Sequence, residues 1–164
     1  MATLLLGAFV ITSTGFATPA STLSPEAHYQ LALDAELQGA FAHAEDQFLA
    51  AVLLNPVMAE AYLGLSAVYI RFGRFAKARE ALLTVIRTLP DSKLVGPQYR
   101  AALSMTYNNL GVVEEFIAEG ALQARRLDAV RQHAQLAVGY YQRAVELDPR
   151  NAQARVNLHL RKGL

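Results

Sequence analysis

From Pro25 onward the chain repeats one arrangement of apolar and polar positions. Apolar residues recur three and four apart, as they do along one face of an α-helix, and Gly or Pro interrupts the runs at regular intervals. Asn55-Pro56 and Leu89-Pro90 place two prolines 34 residues apart. Counted back from each proline, matching residues return: Ala51 with Val85, Phe48 with Leu82, Ala44 with Ala78, Phe41 with Phe75, Gly39 with Gly73, and Leu31 with Leu65. A small residue follows each of those leucines, Ala32 or Ser66. Pro149 repeats the second half of the pattern with Ala144, Tyr141 and Ala137.

Each unit therefore reads as helix, Gly-containing turn, helix, Pro-containing turn. Ala44, Ala78 and Ala137 are expected where two helices of a hairpin cross too closely for a larger side chain. Phe48, Leu82 and Tyr141 are expected to fill the space between hairpins. Gly39 and Gly73 can supply a left-handed residue at the end of the first helix, and the prolines cannot continue the second. Ser24 suits an N-cap with Pro25 at the first helical position, and Pro97 starts a later helix in the same way.

The third unit departs from the spacing. Its first helix carries Tyr107-Asn108-Asn109-Leu110-Gly111, but Leu110 stands 39 residues before Pro149 where Leu31 stands 25 before Pro56. In an antiparallel pair the fourteen extra residues either lengthen both helices equally or overhang. A shared extension adds about two turns, near 10 Å, to each helix. It puts the turn near Arg125, where Ala124-Arg-Arg-Leu-Asp-Ala-Val130 echoes Phe72-Gly-Arg-Phe-Ala-Lys-Ala78. The competing reading turns at Gly120. A final helix over 151–162 alternates Val156, Leu158 and Leu160 with Arg155, Asn157, His159 and Arg161, and suits the polar cap that a stack of repeats needs.

This pattern resembles the tetratricopeptide repeat family (TPR), whose units are 34-residue helical hairpins. The resemblance covers residues 25–164 and implies an all-α, TPR-type α-solenoid, right-handed, with repeats at 25–58 and 59–92, an elongated third hairpin at 97–149 and the C-terminal capping helix. It also implies a concave groove lined by the first helix of each hairpin. Carried over by alignment, the groove residues are Tyr29, Leu33 and Glu36, then Leu63, Ala67, Ile70 and Arg71, then Met105, Asn109, Val112 and Phe116. The set is largely apolar, which suits a helix or a hydrophobic peptide segment. It lacks the basic residues with which some family members clamp acidic C-terminal tails, keeping only Asn109 at a comparable place. From about Asn108 to Leu160 the chain also resembles the photosystem I assembly group of this family, which leaves an assembly factor for a membrane protein complex as an alternative. A self-associating structural scaffold is the other.

Residues 1–22 stand apart as a leader with a linker. The stretch 4–16 is uncharged and apolar, diluted by Thr and Ser, and has the length of an export-signal core although it lacks a basic start. Removal of residues 1–17 would place the protein in an exported, periplasmic or lumenal compartment. Retention would make residues 4–16 a membrane anchor or leave the chain cytoplasmic.

Composition narrows the chemistry. The 164 residues are 53% hydrophobic and 18% charged, with mean hydropathy +0.19, which excludes a disordered chain. There is no cysteine, so disulfides and thiolate chemistry are absent. Residues 1–70 hold six acids and no Lys or Arg, whereas residues 71–164 hold all 15 Lys and Arg with eight acids, for a total charge of +1. That balance argues against a nucleic-acid partner, while the asymmetry can orient a protein one. Arg71, Arg74, Lys77 and Arg79, with Arg125, Arg126 and Arg131, form a candidate basic surface for an acidic partner or an anionic membrane. No GxGxxG, GxxxxGK[ST] or GxSxG pattern occurs, and His28, His43, His133 and His159 never fall at metal-ligand spacing. Glu114-Glu115 reads as a solvated edge, since neighbours on a helix diverge by about 100°. The expectation is a non-enzymatic binding module without cofactor or metal.

Overall fold

The computed structural model describes residues 23–91 and 95–162. The expected leader or anchor in residues 1–22 lies outside them. Among the described residues there are seven α-helices, one 3-10 turn and no strand: α1 Pro25–Leu37, α2 Phe41–Leu54, α3 Ala59–Arg71, α4 Phe75–Thr88, the 3-10 turn Leu89–Asp91, α5 Gly96–Gln123, α6 Leu127–Leu147 and α7 Ala152–Lys162. They form three hairpins, α1/α2, α3/α4 and α5/α6, with α7 packed on α6. None of these helices is long and apolar enough to cross a membrane.

Local chemistry sets the boundaries. Ser24 Oγ accepts from the Ala27 N–H at 3.1 Å and caps α1. Inside the first two hairpins, Gly39 and Gly73 take φ of 73° and 68°. At both, two main-chain bonds close the helix end: Gly39 and Ala40 donate to Glu36 and Ala35 at 2.9 and 2.8 Å, and Gly73 and Arg74 to Ile70 and Tyr69 at 3.0 and 2.8 Å. The third hairpin turns at 124–126 with the same pair of bonds, Arg125 to Leu122 and Arg126 to Ala121, both 2.9 Å. Arg125 there adopts φ 56°, the left-handed conformation that the other turns give to glycine. Both long helices thus share the extension, and Gly120 lies inside α5.

One apolar core runs through the hairpins. Ala32, Ala44, Phe48, Leu65, Val68, Ala78, Leu82, Leu110 and Val113 are buried within it, and burying a side chain the size of Leu82 contributes about 2 kcal/mol. Phe48 fills the space against Gly64 of the next hairpin, where a β-carbon would meet its ring. Tyr141 is fully buried and packs against Gly111 of its own hairpin, where the small residue after Leu110 is reduced to a bare α-carbon. Its hydroxyl is enclosed without an aligned hydrogen bond, and burial followed by the nearby Glu115 carboxylate raises the phenol pKa well above the usual value.

Ion pairs cross each boundary between units. Arg74 Nη1 donates to both Glu45 oxygens at 2.8 and 2.7 Å, joining the first hairpin to the second. Arg79 of α4 meets Glu114 of α5, its Nε donating at 2.9 Å. Arg161 of α7 donates to Glu115 at 2.5 Å. Amides and a hydroxyl fasten α7 further: Asn157 Nδ2 donates to Asn108 Oδ1 at 2.9 Å and Asn151 Nδ2 to Ser104 Oγ at 2.9 Å.

Glu114 overturns its reading as a solvated edge. It is 0% exposed, and its second oxygen lies 2.6 Å from His133 Nδ1 of α6. Only Glu115, about 100° round the helix, faces outward to α7. A buried carboxylate persists here because a guanidinium and an imidazole meet it.

Candidate functional site

The first helices of the three hairpins turn their C-terminal halves toward one concavity of about 1140 Å³. Leu33 and Glu36 enter from α1, Ala67, Ile70 and Arg71 from α3, and Asn109, Val112 and Phe116 from α5. Spacings of three and four put each set on one helix face, and stacking the hairpins puts the three faces side by side. Three of the expected residues stand elsewhere. Tyr29 leans on Phe48, ring centroids 5.9 Å apart, and packs with Leu63 against the core. Met105 is 52% exposed and does not line the concavity.

The structure adds residues that a first-helix reading omits. Phe41 and Phe75, the opening residues of α2 and α4, line the same concavity with Leu37 and Gly73. Their signal was their equal distance before Pro56 and Pro90, a position just past the turn and so beside the groove. The Phe75 and Phe116 rings stack at 4.8 Å with 9° between planes. Arg71 Cζ lies 4.0 Å over the centroid of Phe41. The polar groups are few: Glu36, Arg71 and Asn109. Burial raises the Glu36 pKa, opposed by the Arg71 charge. Asn109 Oδ1 accepts from Asn108 Nδ2 at 3.3 Å, which orients it.

The candidate basic surface of the second hairpin is partly occupied from within. Arg71 covers Phe41, Arg74 holds Glu45, Lys77 lies over Tyr69 at 5.6 Å, and Arg79 meets Glu114. Arg74 and Arg79 are thus paired with carboxylates, whereas Arg71 and Lys77 are exposed, lie over aromatic rings and keep their charge. Among the described residues no three of His, Asp and Glu are placed to hold a metal ion.

Residues 59–90, the second hairpin, match the family model described as tetratricopeptide repeat. The fold is that of a tetratricopeptide repeat domain. Solved structures share it across nearly the whole described chain. The first TPR of Spaghetti (RPAP3) bound to HSP90 peptide SRMEEVD is 16% identical, with a TM-score of 0.64 over 85% of this chain and 91% of that one. The Arabidopsis OM64 TPR domain is 16% identical, with a TM-score of 0.65 over 85% and 95%. The second TPR domain of human RPAP3 in complex with HSP70 peptide SGPTIEEVD is 13% identical, with a TM-score of 0.60 over 85% and 98%. No curated protein sequence matches the chain. The third hairpin keeps the turn geometry of the first two despite its added length.

Proposed function

We propose that the chain is a non-enzymatic protein-binding module whose concave groove takes the apolar face of a helix or a hydrophobic peptide segment. The observation that carries this reading is the convergence of Leu33, Ala67, Ile70, Val112 and Phe116, from three successive hairpins, on one concavity walled by Phe41 and Phe75. Such a wall gains by removing apolar partner surface from water. Glu36, Arg71 and Asn109 are placed to fix the partner's direction rather than to supply most of the affinity.

The RPAP3 domains are solved with peptides that end in Glu-Glu-Val-Asp. Among the described residues Arg71 is the one Lys or Arg that lines the groove, with Phe41 beneath it and Glu36 close by. That arrangement disfavours an acidic C-terminal tail and favours an apolar segment. Removal of residues 1–17 as an export signal would place this binding outside the cytoplasm.

The test compares the full chain with a Leu33→Glu/Ile70→Glu variant in affinity capture, beside titration of the peptide SRMEEVD. Carboxylates set into the groove floor are expected to weaken the captured partner at least about ten-fold, and the acidic peptide is expected not to saturate the wild type. Identical capture by both chains, or tight binding of the acidic peptide, overturns the reading.

A further inference from the structure

The extension of the third hairpin opens a second cleft. α4 begins at Phe75, which stacks on Phe116, and Arg161 near the end of α7 reaches Glu115. Beyond that level α5 and α6 continue as an overhang. Its flank holds a cleft of about 600 Å³, lined on the overhang by Leu122, Val130, Ala134 and Val138. Leu122 is 56% exposed. Glu115, Glu119 and Arg161 stand at this cleft; Arg161 pairs with Glu115, while Glu119 is exposed with no ion partner among the described residues and leaves one negative charge open there. The tip of the same overhang is basic. Arg125 and Arg126 are exposed, likewise without ion partners among the described residues, and Leu127 beside them is 62% exposed.

We propose that this cleft is a self-association site in which the overhangs of two copies lie antiparallel, each basic tip seated against Glu119 in the cleft of the other. Cleft and tip are complementary in charge and both apolar at the centre, and one hairpin carries both. A two-fold axis therefore satisfies two clefts and two tips at once. The dimensions agree: the eight residues from Phe116 to Ala124 rise about 12 Å, so a tip laid along an equal overhang ends at the level of Glu115 and Glu119. Ala134, exposed in the cleft, lets a neighbouring helix approach closely. The proposal does not depend on the use of the main groove.

Sedimentation velocity of the full chain, from micromolar to near-millimolar concentration, tests it. The mass is expected to rise from one chain of 17.9 kDa toward two, more readily at low salt. Leu122→Asp is expected to hold the chain monomeric. Glu119→Arg and Arg126→Glu should each weaken association at least about ten-fold, and a chain carrying both reversals should regain it, because swapped charges again face each other across the axis. Far-UV circular dichroism checks that each variant keeps its helices. These substitutions leave alone Val112 and Phe116, which line the main groove as well as the cleft. A single-chain mass at every concentration overturns the proposal. So does association that ignores Leu122→Asp, or that responds only to Ile70→Glu in the main groove, and so does a double reversal no tighter than the single ones.

Discussion

A β-carbon on Gly111 would stand 2.4 Å from Cε1 of Tyr141. The ring cannot withdraw, because it is fully buried between α5 and α6. This contact sets how closely the two long helices approach, and it requires glycine although glycine weakens a helix interior by about 1 kcal/mol relative to alanine. Gly120, nine residues on in the same helix, meets nothing within 4 Å. Gly111→Ala is therefore expected to lower stability by about 2 kcal/mol through overpacking, and Gly120→Ala to raise it by about 0.5–1 kcal/mol. Urea unfolding of the two variants checks the contrast; equal effects would refute it.

The third turn offers a second gain. Arg125 holds φ 56° where the other two turns hold glycine, and a side chain in that conformation costs about 1 kcal/mol. Arg125→Gly is expected to raise the melting temperature by a few degrees. Measuring at dilute protein keeps chain association out of the comparison.

The enclosed carboxylate predicts a loss. Glu114→Ala removes the acceptor of Arg79 and His133 and is expected to cost about 3 kcal/mol, because it strands polar partners at a helix junction. Replacing all three residues by leucine is expected to recover most of that loss, since apolar groups need no partner. Denaturant melts of the two variants decide it: a triple variant as weak as the single one would show that packing, not unmet charge, is at stake.

Glu36 supplies the pH dependence. Burial raises its pKa in the fold, with Arg71 opposing. The folded protein then holds a proton that the unfolded chain releases, so this group's contribution to stability falls as pH rises through the carboxylate range and the penalty is complete at neutrality. Glu36→Gln is expected to melt higher than wild type at neutral pH, with the difference closing in acid. A difference constant with pH would assign the effect to something other than titration.

Much of the fold is legible in the chain because its repeat constrains it twice. The prolines and Gly39 and Gly73 mark both kinds of turn, and equal spacing of Leu31 and Leu65 before them fixes which helix face is inward. The elongated hairpin was legible as well, since an antiparallel pair can absorb fourteen residues symmetrically only by turning near Arg125. Glu114 was misread for want of the same counting. It stands four residues after Leu110, as Ala35 and Tyr69 stand after Leu31 and Leu65, and both of those are buried. Its hydrogen-bonding partners lie 35 residues before and 19 after, where no local pattern connects them. The groove was legible along its floor and not at its walls. Phe41 and Phe75 belong to second helices, and only the stacking of hairpins brings their rings beside Phe116.

The pairs Glu45–Arg74, Arg79–Glu114 and Glu115–Arg161 each join one unit to the next, and their polarity alternates from junction to junction. The hairpins are consequently not interchangeable modules. Moved directly behind the first hairpin, the third would set Glu114 against α2, a helix without a single Lys or Arg. Unit order is thus encoded as a sequence of complementary joints, and a shuffled gene made of the same three segments would encode a stack with a mismatched seam.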